Sequence, residues 1–320
     1  MIPSAYPLIA VTGVSGSGKT SLVIECLVPA LQAVIQGTKL PEHVDSIEAK
    51  GIQSVKVIDS KPIGANVRST VATYDGVFDD LRKLFARTAD AKAKGLTAGD
   101  FSYNTGKLRC PVCDGTGIIT MDVQFLPDVD TICPSCGGSR YGKDAYDILW
   151  KSKEKDSVSV SLPGLLKLTV EEAAGILHEE TKIAKQLKIL QDLGVCYLTL
   201  GEATPALSGG EAQRLKLAYE METPQQGSVF VFDEPTIGLH PQDVKKLVLI
   251  FDHLIQLGAT VIVIEHDLEL VTNCDYIIDM GPWGGTEGGR VVVEGTPEAV
   301  AATSESITGR YLKQELAEDK

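Results

Sequence analysis

Aromatic residues are scarce in this chain of 320 residues, making up 6% of it, and only two are tryptophans. Positive charge is short as well: 30 Lys and Arg stand against 43 Asp and Glu, for a formal net charge of −13. That balance excludes a global basic field, so any nucleic-acid contact must come from a local patch. No apolar run is long enough to span a membrane. The opening stretch MIPSAYPLIAVTG has no positive n-region and runs directly into a glycine-rich loop, so it does not read as a signal peptide. A cytoplasmic location is the expectation, and there the seven cysteines are reduced thiols rather than disulfides. Hydrophobic residues are plentiful at 43%, enough for a sizeable core and for two domains rather than one.

Strands and helices alternate along much of the chain. LIAVT (8–12) reads as a buried strand, followed by GVSGSGKT and the apolar-rich helix SLVIECLVPALQAVIQ. The stretch from Leu168 to Gly194 reads as helical up to its closing glycine. VFVFDEP is a buried strand ending in two acids. PQDVKKLVLIFDHLIQLG is a helix with Pro at its start and Gly at its end. TVIVIEH is a second buried strand, and GGTEGGRVVVEG is a turn and strand. This order predicts an α/β fold with a mostly parallel sheet covered on both faces.

Gly13–Thr20 matches G-x-x-x-x-G-K-[ST]. Glycines let the backbone amides curl around phosphates, and the helix that follows points its positive end at them. Gly13, Ser15, Gly16, Ser17, Gly18, Lys19, Thr20 and Ser21 are the candidate nucleotide-binding residues. Lys19 reaches the β- and γ-phosphates of ATP, and Thr20 holds Mg²⁺. Asp233 is the second candidate magnesium ligand, delivered by its strand. Glu234 is placed as the general base that polarises the attacking water. His266, after TVIVIE, is a candidate to orient that water, although a lone His in this position is usually a surface residue. LSGGE (207–211) supplies Ser208, Gly209, Gly210 and Glu211 at a helix start, a second anion site. One chain needs no second γ-phosphate site for one ATP, so these residues are expected to contact ATP held by another subunit or half. The plainer reading of Ser208 is an ordinary helix cap.

Cys110, Cys113, Cys133 and Cys136 form two C-x-x-C pairs separated by nineteen residues, inside the template for a four-thiolate Zn²⁺ site. A redox C-x-x-C is the alternative. Four cysteine ligands leave no open position, so such a zinc is structural. Cys26, Cys196 and Cys274 read as buried small hydrophobes. His43, His178 and His253 read as surface residues. Lys61, Arg68, Lys107, Arg109, Arg140 and Lys143 flank the cysteines and are candidates for DNA phosphate contacts, with solvated surface charge as the competing reading.

The order P-loop, LSGGE, DEP, His resembles the ATP-binding cassette family. The long gap between P-loop and LSGGE, with the cysteines inside it, sharpens the match. GVSGSGKTSL, RSTVATYDGVFDDLRKLFA, CPVCDGTG, VQFLPD, CGGSRY, LSGGEAQRLKLA, DEPTIGLH and VIEHDLELVTNCDYIIDMGPWGG resemble the C-terminal half of the UvrA family, the damage-recognition ATPases of bacterial nucleotide excision repair. CPVCDGTG also resembles the zinc repeats of J-type chaperones. The UvrA resemblance implies an ABC-type P-loop ATPase with a helical signature domain carrying the zinc module. On that basis 1–60 is the first part of the ATP-binding domain. Residues 61–205 form the signature domain, with the zinc module at 104–141, and 206–320 complete the ATP-binding domain. It further implies ATP, Mg²⁺ and Zn²⁺ as cofactors and damaged duplex DNA as partner. A second cassette half or a second copy completes the ATP site, and no membrane is involved. Arg68 is the foremost DNA candidate, because it lies in the matching RS-x-x-ATY stretch.

Four departures stand out. The family carries two cassettes per chain, and this sequence has one. No segment has room for UvrB-binding domains, so a UvrB-type partner is not expected for this chain alone. In DSKPIG (59–64), Ser60 stands where the family has a magnesium-sensing Gln, and Ala65 stands where Arg is common. A piece of a longer chain and a half-size paralog in drug self-resistance are both compatible readings. A zinc-stabilised DNA-binding module without turnover is the non-enzymatic alternative. A transporter ATPase is disfavoured by the zinc-bearing insertion.

Overall fold

The computed structural model describes residues 7–64, 66–121, 129–153, 158–221 and 225–318. Ala65 and the VQFLPD stretch lie outside the described residues. The strands are β1 (Leu8–Gly13), β2 (Ser54–Ile58), β3 (Ile118–Met121), β4 (Val129–Ile132), β5 (Leu149–Lys151), β6 (Ser159–Ser161), β7 (Ser228–Asp233), β8 (Thr260–Ile264), β9 (Tyr276–Gly281) and β10 (Arg290–Gly295). The chain divides into two compact units, Met1–Lys61 with Glu220–Lys320, and Pro62–Tyr219.

The first unit is built on a six-stranded sheet in the order β10-β9-β1-β8-β7-β2. Every neighbouring pair is parallel except β9 and β10. Alternate residues of the central strands serve opposite faces. On one face Ile9, Val11, Val231 and Ile262 meet Val23 and Leu31, from the helical run that follows the P-loop. On the other, Phe232 of β7 meets Phe251 of the helix Pro241–Gln256, with ring centroids 4.7 Å apart. Burying such a phenylalanine stabilises the fold by about 1.5–3 kcal/mol. The mostly parallel α/β sheet expected from the sequence is therefore present, and its two-sided burial explains why the strands read as unbroken apolar runs.

The helix after the P-loop is wound as a π-helix over Ser21–Leu27 and becomes α-helical at Val28–Gln36. Pro29 sits at this junction and has no N–H to add to the helical ladder. His43 Nε2 donates to the Glu25 carbonyl oxygen at 3.1 Å. His43 thus has a structural partner that its sequence surroundings did not reveal.

The second unit is mainly helical, with two short hairpins, β3–β4 and β5–β6. The stretch 168–194 is two helices rather than one, Val170–Ile176 and Thr181–Asp192. A capping box of Thr169 and Glu172 opens the first. Beyond its end His178 Nδ1 lies 2.7 Å from the Gly175 carbonyl oxygen, giving a last-turn carbonyl a partner. The core centres on aromatic rings: Phe78 and Tyr103 lie 4.8 Å apart, Tyr103 and Tyr141 6.0 Å. Tyr141 donates its buried hydroxyl to the Phe101 carbonyl at 2.6 Å. Burial holds its phenol well above the usual range.

Candidate functional site

In the first unit β1, β8 and β7 lie side by side and parallel, so their carboxyl ends deliver residues to one edge of the sheet. β1 ends in the P-loop. Gly13 has φ 133°, and a Cβ there would sit 2.1 Å from the Met280 carbonyl oxygen, so only glycine fits. Lys19 is buried, and its ammonium donates to the carbonyls of Gly13 at 2.8 Å and Val14 at 3.0 Å. It spans the mouth of the loop. The Ser17 hydroxyl is buried with no hydrogen-bond partner, a donor that a phosphate oxygen would satisfy. Ser15, Gly16, Thr20 and Ser21 are exposed. These features fit a triphosphate cradle.

A second glycine-rich segment, Gly281–Gly289, lies against the P-loop. Gly285 N donates to Gly16 O at 3.0 Å, and Gly289 N to Ser17 O at 2.9 Å. A Cβ on Gly284 would meet Ser15 O at 2.6 Å, so a side chain there would push the two loops apart. In sequence alone this segment is a plain turn. Its dense glycines directly after an apolar strand were the available signal.

Asp233 closes β7, with Glu234 next to it. Burial raises the Asp233 carboxyl above the usual range, and the charges of Glu234, Asp59 and Glu265 push the same way. Such a cluster of acids fits a divalent cation, which relieves the mutual repulsion. Glu234 has φ 48° and donates its amide to Ile264 O at 2.9 Å. A non-glycine residue in this region costs about 1–3 kcal/mol and persists where its surroundings fix it, as at functional sites. His266 has a largely exposed ring, and its amide donates to Glu265 Oε2 at 2.7 Å. Glu265 itself is fully buried. No motif assigns it a role, although a charge closing a β-branched strand is a recognisable oddity. Ser60 lies beside the internal pair of Asp59 and Lys61, whose charged atoms are 3.5 Å apart.

Ser208–Glu211 belongs to the second unit and opens the helix Gly209–Glu220. Ser208 N donates to Glu211 Oε2 at 2.7 Å, and Glu211 N to Ser208 Oγ at 3.4 Å, a reciprocal cap. Tyr197 donates its hydroxyl to Glu211 Oε1 at 2.7 Å. Burial works against ionising Glu211, but Tyr197 and Ser208 outweigh it and hold its carboxyl below the usual range. Tyr197 fixes this turn and carries no motif that points to it.

The four predicted zinc ligands converge. The Sγ atoms of Cys110, Cys113, Cys133 and Cys136 all lie within 4.8 Å of one another. Cys110 and Cys133 are 4.0 Å apart, Cys113 and Cys136 3.7 Å. A tetrahedral zinc with Zn–S bonds of about 2.3 Å requires about 3.8 Å between sulfurs, so the set fits the ion. The two halves mirror each other. Cys110 N donates to Arg140 O and Cys133 N to Gly117 O, both at 2.9 Å. Gly117 N donates to Cys113 Sγ at 3.3 Å. Burial opposes ionisation of Cys110, but the amides of Cys113 and Val112 outweigh it and bring the thiol down to about 7. Burial pushes Cys136 up to about 12. Of the isolated cysteines, Cys274 is buried as expected, whereas Cys26 and Cys196 are half-buried.

Five of the six basic candidates have internal partners. Arg140 is 7% exposed, donates to Val67 O at 2.8 Å and lies over the Tyr103 ring, so its guanidinium serves the core beneath the cysteines. Arg68 donates to Asp114 O at 2.9 Å and pairs with its carboxylate at 3.4 Å. Arg109 pairs with Asp114 at 3.1 Å, and Lys107 with Asp100 at 3.4 Å. Arg68 also lines an open groove with Asn66, Ser69, Thr73, Tyr74, Asn104 and Tyr219. No helix among the described residues is long and apolar enough to cross a membrane.

No family model matches the chain. It is 45% identical over 313 residues to UvrABC system protein A of Staphylococcus aureus (strain COL), a match covering 97% of this chain and 32% of that protein. It is 46% identical over 311 residues to UvrABC system protein A of Clostridium acetobutylicum, covering 96% of this chain and 32% of that protein. The crystal structure of UvrA2 from Deinococcus radiodurans superposes with a TM-score of 0.85 at 40% identity, over 97% of this chain and 37% of that one. The chain thus spans about a third of the length of the curated relatives it matches.

Proposed function

We propose, from the premise that this chain is homologous to UvrABC system protein A, that it is an ATP-binding cassette ATPase coupling ATP binding and hydrolysis to the recognition of damaged DNA in nucleotide excision repair. The observation that carries the reading is the meeting of a P-loop, an acidic strand end and a His-bearing turn on adjacent parallel strands. Lys19 and the loop amides hold the triphosphate, and the Ser17 hydroxyl adds a donor. Thr20 and Asp233 would hold Mg²⁺, which neutralises phosphate charge when bound. Glu234 takes a proton from water, and His266 fixes that water's orientation. Ser208–Glu211 offers a capped helix start to nucleotide held by a second half or copy.

Zinc on the four cysteines has a structural role, holding the knuckles over the aromatic core. DNA contact falls to Arg68, Lys107 and Arg109 on the second unit and to Lys61 on the first. Each is exposed enough to exchange its carboxylate partner for a phosphate, whereas Arg140 is held inside. Phosphate contacts give affinity without sequence preference, so lesions are recognised through altered DNA shape and deformability. The test is binding of zinc-loaded protein to a duplex with one bulky adduct and to the same duplex undamaged, with and without ATP, at fixed salt. Preference for the adduct that changes with ATP is the expected result. Equal, nucleotide-insensitive binding to both contradicts it.

A further inference from the structure

We propose that Glu265 is a positioning residue that clamps the turn after Glu234 and the turn carrying His266 together, so that the base and the water-orienting group act as one rigid unit. The proposal rests on the ATPase reading given above. Its geometry is specific. Oε1 accepts from Thr236 N at 2.9 Å and from the Thr236 hydroxyl. Oε2 accepts from His266 N at 2.7 Å and Asp267 N at 3.1 Å. One oxygen therefore serves the segment that follows Asp233 and Glu234, and the other serves the segment that bears His266. The Glu265 amide donates to Val11 O at 3.2 Å, which fastens the clamp to the strand leading into the P-loop.

Packing alone does not account for a carboxylate here. Glu265 is fully buried, and its hydrogen-bond donors are neutral amides and a hydroxyl, with the His266 ring Nδ1 further off at 3.8 Å from Oε2. A buried charge costs several kcal/mol unless hydrogen bonds replace its hydration. Its charge also adds to that of Glu234 and Asp59 around Asp233. An apolar residue on the preceding β-branched strand would avoid both penalties. What only a carboxylate supplies is two acceptor oxygens, each able to take two donors. Glutamine keeps the shape but turns an –NH₂ towards two N–H or O–H donors, which releases one turn and leaves the other held.

The test compares Glu265→Gln with His266→Ala and with the double variant. Because misplacement of reacting groups by about 1 Å costs on the order of 10²-fold, Glu265→Gln is expected to lower kcat roughly 10–100-fold with ATP affinity within about twofold of wild type. In the His266→Ala background it is expected to add little, because both changes disable the same unit. Amide hydrogen exchange at Thr236, His266 and Asp267 is expected to speed up in Glu265→Gln, with the melting temperature of the rest of the unit preserved. Unchanged kcat, or effects of Glu265→Gln and His266→Ala that multiply, would overturn the proposal. If wild type and Glu234→Gln show no difference in ATP turnover, the ATPase reading itself fails. The exchange measurement then still decides whether the clamp exists: unchanged protection at those amides rejects it.

Discussion

Glu234→Gln is expected to remove ATP turnover, lowering kcat by about 10²–10⁴-fold, the range for losing a positioned general base. Binding of Mg-ATP is expected to survive. The carboxylate sits one residue beyond Asp233, on a backbone held at φ 48° by a hydrogen bond to Ile264 O. Glutamine has the same length and hydrogen-bonding outline, so it keeps the turn and loses only the ability to accept a proton. Removing the negative charge also eases the crowding of acids around Asp233, which favours nucleotide affinity equal to or above that of wild type. Single-turnover hydrolysis and nucleotide titration on the same sample separate the two effects. Retained turnover with normal binding would assign the base elsewhere and favour the reading of a DNA-binding module that holds ATP without using it.

Removing zinc is expected to have the second-largest effect, confined to the region of the knuckles. The cysteines are themselves the local core: Cys110, Cys113 and Cys133 form its buried cluster, with Ile119 and Cys136 against them. Among the described residues little other apolar material holds β3 and β4 in place, for Met121, Val129 and Ile132 are exposed. Zinc contributes an apparent ~10–16 kcal/mol in finger peptides near neutral pH, of the same order as a whole domain's net stability. Cys113→Ser, or a strong chelator, is therefore expected to release the metal and abolish amide protection across Cys110–Arg140. ATP affinity at the P-loop, which belongs to the other unit, is expected to stay within about twofold. Hydrogen exchange read alongside zinc stoichiometry checks this. Full protection in the metal-free protein would mean that the thiols are not a zinc site, and would return the redox reading of the two pairs.

The readable parts of this sequence are those where local pattern and function coincide. LIAVT, VFVFD and TVIVI are unbroken apolar runs because both faces of β1, β7 and β8 are covered. The glycines of the P-loop and the spacing of the cysteines are written into consecutive residues. What escaped depends on partners distant along the chain. The burial of Arg140 comes from Val67 and Tyr103. The role of His43 follows from the Glu25 carbonyl that the fold brings to it. The Gly281–Gly289 segment gains meaning only once β9 places it beside the P-loop. Glu265 is silent for the same reason, since the Thr236 half of its clamp lies 29 residues away and meets it only in the folded sheet.

The central claim, that nucleotide bound at Gly13–Thr20 of one chain is completed by Ser208–Glu211 of another, has a direct test in mixing. Lys19→Ala removes the phosphate-binding ammonium, and Ser208→Arg blocks the capped helix start. Each variant alone is expected to be inactive. In a mixture, a pair formed from one chain of each kind contains one site with an intact P-loop facing an intact LSGGE turn. The account predicts that ATPase activity returns on mixing and rises with total protein concentration. A mixture that stays inactive, with both variants folded and pairing like wild type, would contradict it.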